Sequence, residues 1–317
     1  MPNPQPIKQC NPHKELPEDL INADMTGYDL RGINLSGRDL RGAKLFKADL
    51  RGAILQGCNL EGAELSAANL EGANLEAVNA KRAGFGMAMM KNCNLFRADL
   101  EGATLTQADM TDANLHCANL SKSRMREIQL KNADLSEAVL IDADLSMANI
   151  EMTNFSNADL RGARLRMMRG FKSAHWIGTD IRDVNFAGAY LMRREIVDQN
   201  FIKEFRSYNR MTALLYYPWW LTCDCGRSMF RWCLWIGAQG LLFAWLYTLV
   251  GVNFGQDSNV ITPLYFSVVT LTTLGYGDIV PRTMTGQLLV MIEVTVGYMM
   301  LGGLLSIFAN KLARRGD

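Results

Sequence analysis

The run Thr270-Leu271-Thr272-Thr273-Leu274-Gly275-Tyr276-Gly277-Asp278 holds the residue types and spacing in this chain that most clearly specify a chemistry. Glycine recurs at alternate positions, 275 and 277, and glycine accepts left-handed backbone angles that a Cβ forbids. Such a segment can swing consecutive main-chain carbonyls toward one axis. A column of these oxygens, with a threonine hydroxyl below it, would replace the water around a bare cation. Tyr276 would brace the column from behind. One chain provides only one wall of such a shell, so the chemistry requires several copies around a common axis.

Two apolar stretches flank this run. The first extends from about Trp232 to Val252 and the second from about Thr285 to Ala309, each close to the ~20 residues that cross a bilayer as a helix. Gln239 is the one amide in the first stretch, and Glu293 is the one acid in the second. The segment between them is too short for another pair of spans, but it has room for a helix that enters and leaves by the same face. Trp219, Trp220, Trp232 and Trp235 cluster at the start of the first stretch, as aromatic anchors at a lipid–water boundary do. Arg227 and Arg231 precede the first stretch, Lys311, Arg314 and Arg315 follow the second, and the connecting loop has only Arg282. This asymmetry predicts that both termini are cytoplasmic.

Residues 228–312 resemble the two-transmembrane potassium channels. The segment from Leu264 to Thr272 is similar to the family's pore helix, in which Tyr265, Phe266, Thr270 and Thr272 hold matching positions and the two aromatics would form a cuff. Thr273, Leu274, Gly275, Tyr276 and Gly277 match the selectivity filter residue by residue, and Asp278 matches the acid at its outer mouth. The resemblance implies K+ bound by the carbonyls of Thr273, Leu274, Gly275 and Tyr276 in a homotetramer, with no other cofactor. Pro281, Thr283 and Gly286 match the turn into the inner helix. Gly297 falls at the family's hinge glycine, although a helix-packing role is the alternative and Gly302 and Gly303 lie close by. Leu274 stands where valine or isoleucine is commoner, and Val269 where some relatives carry a glutamate that bonds the acid after the filter. Glu293 is a candidate for that missing partner. Otherwise it makes an interhelical hydrogen bond with no part in conduction, since an intramembrane carboxylate is costly unless paired or neutral.

The first half of the chain follows a different rule. Every fifth residue from Leu20 to Leu165 is bulky and apolar except Ala80. Alanine usually stands two residues before each centre, as at Ala43, Ala48, Ala53, Ala63, Ala103 and Ala143, and Asp or Asn often precedes the centre directly. A period of five fits neither a helix nor a simple strand and signals a solenoid. The runs Ala48-Asp49-Leu50-Arg51-Gly52 and Ala98-Asp99-Leu100-Glu101-Gly102 resemble the consensus of the pentapeptide-repeat family. That resemblance implies a right-handed quadrilateral β-helix with four pentapeptides per coil. Leucine and alanine would point inward, and the rod would be about 35–40 Å long at an inter-strand spacing of ~4.8 Å. An eleven-residue gap separates Leu165 from Trp176, after which Ile181, Phe186 and Leu191 continue the period. Arg166 to Ala174 therefore reads as an excursion, with Met167, Met168 and Phe171 either docking a partner or packing on the rod. Some family members imitate DNA and bind topoisomerases. The near-balanced charge here argues against that role.

The whole chain of 317 residues has 33 Lys and Arg against 32 Asp and Glu, a net charge of +1, which excludes the basic surface of a nucleic-acid binder. Seven cysteines show no framework spacing. Cys58 and Cys93 stand at alanine positions and read as core filler, and Cys223-Asp224-Cys225 has no second Cys/His pair near it to complete a metal site. His13, His116 and His175 are scattered and read as neither ligands nor bases, and the periodic carboxylates read as a solvated face. Within the linker 192–227, the segment to Tyr217, in which Ile196, Phe201, Ile202 and Phe205 share a helical face beside Arg193, Arg194, Lys203, Arg206 and Arg210, reads as one helix that Pro218 ends. It would first cap the open end of the solenoid, with an anionic membrane surface as the alternative or additional contact.

The predicted organisation is a polar tail over 1–19 with no secretion signal, a solenoid over 20–191, a capping or interfacial linker over 192–227, and an all-α two-span module with a re-entrant pore loop over 228–317. The resemblances together imply a non-enzymatic, potassium-selective channel of the plasma (inner) membrane whose repeat domain is regulatory or binds a cytoplasmic protein. The alternatives are a non-selective cation channel and a membrane-tethered scaffold. No arginine-rich voltage sensor or nucleotide-binding motif identifies a gating stimulus.

Overall fold

The computed structural model describes residues 19–187, 189–255 and 258–313, the last four of these through their backbone alone. The polar tail lies outside the described residues but for its last position, as do His13, Arg314, Arg315 and the side chain of Lys311. The chain divides into two compact units, Met1–Lys203 and Glu204–Asp317.

The first unit is a β-helix. Parallel bridges pair each residue that precedes a centre with the one twenty positions on, from Asp24 with Lys44 through Asn149 with Arg169. Four five-residue sides therefore make one coil. Between sides the chain turns through two residues, and the amide after the turn donates to the carbonyl of the preceding centre, as Ala43 does to Leu40 at 3.0 Å. The Asp or Asn before the centre has a local task, because its Oδ1 accepts the amide of the first turn residue. Asn34 takes Ser36 at 3.0 Å in this way, and Asp159 takes Arg161 at 3.1 Å. Every centre from Leu20 to Leu165 is buried, Ala80 included.

The alanine position faces the same core and takes a small polar atom, which at Cys58, Cys93 and Thr153 finds a carbonyl and at Ser123 is buried with no partner among the described residues. Cys58 Sγ donates to the Leu35 carbonyl at 2.7 Å, Cys93 Sγ to Leu70 at 2.8 Å, and Thr153 Oγ1 to Leu130 at 2.7 Å. Burial pushes the Cys93 thiol up to about 12, so it stays protonated and inert. Outward-facing asparagines form rungs between coils, such as Asn94 to Asn74 at 3.2 Å and Asn114 to Asn94 at 3.1 Å.

The excursion after Leu165 is narrower than the sequence spacing suggests. Arg169 still bridges to Asn149, and the next bridges, Asn154 with His175 and Asp159 with Asp180, span twenty-one residues, so the coil absorbs one extra residue between 170 and 174. Gly170 makes this possible. Its φ is +78°, and a Cβ there would come within 2.5 Å of the Glu151 amide nitrogen. Met168 is buried and Phe171 packs against the core, whereas Met167 is exposed.

The rod's end is closed by α1 (Tyr190–Tyr208). Leu191, expected as the next core centre, is exposed, and Met192 and Ile196 enter the core in its place, because the helix has already replaced the five-residue rhythm. Two amide side chains stand in for the absent next coil. Gln199 accepts from the Trp176 amide at 2.9 Å and donates to the Ala174 carbonyl at 3.0 Å. Asn200 accepts from the Gly178 amide at 2.7 Å and donates to the Trp176 carbonyl at 2.9 Å. The Trp176 ring, fully buried, stacks on Phe155 at 4.7 Å.

In the second unit, the single linker helix expected from sequence is broken. Asn209 is extended and forms a capping box with Thr212, which starts α2 (Arg210–Cys223) afresh. Pro218 lies inside α2 and does not end it; it removes only the one amide that would have bonded the Leu214 carbonyl. Three helices follow, α3 (Met229–Leu249), α4 (Thr262–Leu271) and α5 (Met284–Ala313). The first apolar stretch thus begins and ends about one turn earlier than its hydropathy suggested, since Ser228 caps the Arg231 amide.

Two outcomes are expected of the first unit. Trp176→Ala should cost about 3–5 kcal/mol in denaturant unfolding, whereas Met167→Ala should be nearly neutral; equal effects would remove Trp176 from the core. Hydrogen bonds from Arg31 and Arg182 hold Asp29 and Asp180 down at about 2. Depressed carboxylates stabilise the fold above their unfolded value of ~3.9 and lose that contribution as pH falls toward ~2. Replacing both by Asn should flatten this acid limb of the stability profile measured by circular dichroism.

Candidate functional site

Conformation, more than contact, distinguishes the segment after α4. Thr273, Gly275 and Gly277 have φ of +59°, +52° and +77°, while the residues between them do not enter the left-handed region. Alternating the hand of successive residues turns their carbonyls to the same side. Among the described residues, no neighbouring atom lies within 4 Å of a Cβ built on Gly275 or Gly277, so the backbone angle requires glycine there and crowding does not. Leu274 and Tyr276 are exposed in the single chain. The segment is tied to the end of α4 by the Leu274 amide, which donates to Val269 at 3.0 Å, and by Thr272, whose hydroxyl donates to Val268 at 2.7 Å. Thr273 Oγ1 donates to the Thr272 carbonyl at 2.7 Å, and Thr270 is buried.

The aromatic pair of α4 divides its work. Tyr265 reaches forward, its hydroxyl donating to Asp278 Oδ2 at 2.9 Å. Phe266 points back into a cluster with Phe243, Tyr247 and Val252, its ring 4.8 Å from that of Tyr247 and 6.2 Å from that of Phe254. Tyr265 is thus the partner of Asp278 for which Glu293 was a candidate.

Glu293 has a different place. It is completely buried and gathers three helices on one carboxyl: Tyr247 of α3 donates to Oε2 at 2.5 Å, and Ser267 of α4 donates to Oε1. Both of its oxygens are engaged between the helices, and Asp278 is bonded by Tyr265. Ser267 carried no signal in the sequence beyond its position in α4. Farther along α5, Gly297 lies against the end of α4, where a Cβ would be 2.7 Å from the Leu271 carbonyl oxygen. Gly303 faces the Trp232 ring, and Trp232 Nε1 donates to the Met300 carbonyl at 2.7 Å. These contacts give both glycines a packing reason. Gln239 Nε2 is buried with no hydrogen-bond partner among the described residues.

Helices α3 and α5 are long and apolar enough to cross a membrane, over Met229–Leu249 and Met284–Ala309. Leu241, Leu242 and Trp245 on α3 and Met291, Ile292 and Met299 on α5 are exposed. A core helix of a soluble protein would have such residues covered.

Comparison with known proteins matches each part of the chain to a family of its own. The family described as "Ion channel" matches residues 235–314, and the family described as "Pentapeptide repeats" matches in eight copies over 19–57, 43–82, 58–95, 93–128 and 128–166. The chain joins pentapeptide repeats to an ion-channel domain. The channel domain is similar to "Two-pore potassium channel 1" of Arabidopsis thaliana, at 34% identity over 87 residues, covering 24% of this chain and 24% of that protein. It is also similar to "Probable potassium channel protein 2" of Methanocaldococcus jannaschii, at 39% identity over 71 residues, covering 22% and 19%. The chain thus spans about a fifth to a quarter of the length of these curated relatives. The repeat domain is similar to the crystal structure of HetL, a pentapeptide repeat protein from Nostoc sp. strain PCC 7120, at 31% identity over 52% of this chain and 87% of that one, with a TM-score of 0.31. Exposed apolar helices and an ion-channel domain together make this a membrane protein.

The cysteine pair outside the spans is quiet. Burial, with the charge of Asp224 beside it, pushes the Cys225 thiol up to about 11, and Cys223 Sγ donates to the Trp219 carbonyl at 3.2 Å. Among the described residues, neither belongs to a group with metal-ligand geometry. His116 does: with Cys117, which the sequence reading passed over, and Glu137 it forms a close cluster on the repeat domain.

Glu293→Ala would leave the Tyr247 and Ser267 hydroxyls buried without an acceptor, at a cost of about 1–3 kcal/mol for each. Glu293→Gln keeps one amide oxygen and should lose less. Thermal unfolding in detergent gives the order, and indistinguishable variants would mean that the three-helix bond contributes nothing.

Proposed function

We propose that this chain is one subunit of a homotetrameric, potassium-selective channel that conducts passively across the plasma (inner) membrane. The alternation of left-handed backbone at Thr273, Gly275 and Gly277 carries the reading, because it aims consecutive carbonyls at one side as a dehydrating cation requires. Four copies would close the oxygen shell and cover Leu274 and Tyr276. K+ would be held by the carbonyls of Thr273, Leu274, Gly275 and Tyr276, with Asp278 at the outer mouth. Asp278 would be steadied by Tyr265 and the α4 end by Thr270 and Thr272. Short α4 would re-enter the membrane without crossing it, while α3 and α5 span it. A bend in α5 at Gly297 would separate it from Leu271 and so alter the support under the filter.

The basic flanks favour cytoplasmic ends, and the repeat domain, wound right-handed as its family is, would bind a cytoplasmic protein and bias the gate. The chemistry is transport down a gradient, with no bond made or broken, so no enzymatic residue and no cofactor beyond the permeating ion is called for.

Rubidium or thallium uptake into liposomes holding the purified protein, blocked by barium, is the expected result. Vesicles that stay impermeant under every condition would leave only a membrane-tethered scaffold. Bi-ionic reversal potentials should favour potassium over sodium, and a ratio near unity would make the pore a non-selective cation channel. Gly275→Ala places a Cβ in left-handed backbone at about 1–2 kcal/mol per copy, so selectivity should fall while the protein still assembles. Deleting residues 1–190 should change open probability; an unaltered channel would disconnect the repeats from gating.

A further inference from the structure

The coils of the repeat domain bring together residues that lie twenty positions apart in sequence. His116 and Cys117 form the turn after Leu115, and Glu137 occupies the matching turn after Leu135, one coil on. His116 Nε2 is 3.4 Å from Cys117 Sγ, and Cys117 Sγ is 3.5 Å from Glu137 Oε2. All three ligand atoms lie within 4.8 Å of one another. A tetrahedral metal with a sulfur ligand at ~2.3 Å and nitrogen or oxygen ligands at ~2.0–2.1 Å holds its sulfur about 3.5 Å from each of the others. Two edges of that tetrahedron are therefore already in place. The third closes by rotation of the exposed Glu137 side chain.

The imidazole is also prepared. Its Nδ1 lies 2.9 Å from the Ser136 carbonyl and 2.9 Å from the Ser136 hydroxyl. A main-chain carbonyl can only accept, so Nδ1 carries the proton and Nε2 presents its lone pair toward Cys117. A carbonyl behind the far nitrogen is the arrangement that orients a metal-bound histidine. The ring plane is set as well, because His116 stacks on Phe96 at 5.6 Å with 12° between the planes. Ser136, Phe96 and the backbone turns belong to the rod, so a rigid scaffold aims the ligands.

We propose that His116, Cys117 and Glu137 bind one Zn2+ on the side of the repeat domain, with water in the fourth position. Thiolate and imidazole suit zinc and disfavour Mg2+ and Ca2+, which take oxygen ligands. On binding, the Cys117 thiol gives its proton to solvent as the sulfur–zinc bond forms, and nothing is oxidised or reduced. The ion would tie two successive coils through their turns. The proposal is independent of the channel reading, since every ligand lies in the repeats.

The test uses full-length, tag-free, reduced protein in detergent, titrated with Zn2+ by calorimetry and with Co2+ by absorption. One equivalent per chain should bind, and cobalt should show thiolate charge transfer with the strong visible bands of a tetrahedral site. Cys117→Ala and His116→Ala should each abolish that equivalent, and Glu137→Ala should weaken it by about tenfold or more. The double variant Cys223→Ser, Cys225→Ser should retain it. Melting curves establish that each variant is folded, as expected for side chains at the rod's surface. Unchanged stoichiometry in Cys117→Ala, loss of the equivalent in the Cys223/Cys225 variant, or an octahedral cobalt spectrum would overturn the site.

Discussion

A main-chain amide or carbonyl taken out of water must find a partner, and this constraint governs both halves of the molecule. In the repeats, a side of five residues is too short to form a strand ladder of its own. Each side instead exchanges bonds with the sides twenty residues before and after it, so that Lys44 takes the Ala23 carbonyl while Met25 takes that of Lys44. Cooperativity follows from this geometry. No coil is complete without its neighbours, and the leucine column inside only has to fill the space that the hydrogen bonds define.

The same requirement explains how the rod stops. The final coil needs donors and acceptors where a further coil would have been, and Gln199 and Asn200 provide both from one helix. In the channel domain the constraint passes to side chains. Three helices share the carboxyl of Glu293, so the orientation of α4, which leads into Thr273, is set jointly by Tyr247 and Ser267. Buried polar groups of this kind are costly when half satisfied and specify one arrangement when complete.

Much of this was legible in the residues. A period of five with alanine two places before each leucine is a pattern that only a solenoid buries, and Gly275 and Gly277 announce a backbone that must alternate in hand. What the residues alone do not show depends on distance along the chain or on competition between local signals. Pro218 looked like a stop, yet Asn209 and Thr212 restart a helix strongly enough to carry it. Nothing at positions 199 and 200 marks them as substitutes for a coil, because their partners at Trp176 and Gly178 are chosen by where α1 comes to rest. Glu293 was visible as a buried acid, but Ser267 became its partner only once α4 was packed against α5. Cys117 next to His116 gave no sign of a third ligand, since Glu137 is adjacent only in the wound chain.

The coil repeat also sets how the rod can change over evolutionary time. Because every bridge from Asp24 with Lys44 through Asn149 with Arg169 counts twenty residues, duplicating or excising one such block among them returns every downstream side to its own face, leaving closure at Gln199 and Asn200 undisturbed. The single extra residue accommodated at Gly170 shows that smaller errors are tolerated near the closing end, where only one turn has to absorb them. Reach is thus a heritable variable in this molecule, adjustable in steps of one inter-strand spacing without redesigning either terminus of the solenoid.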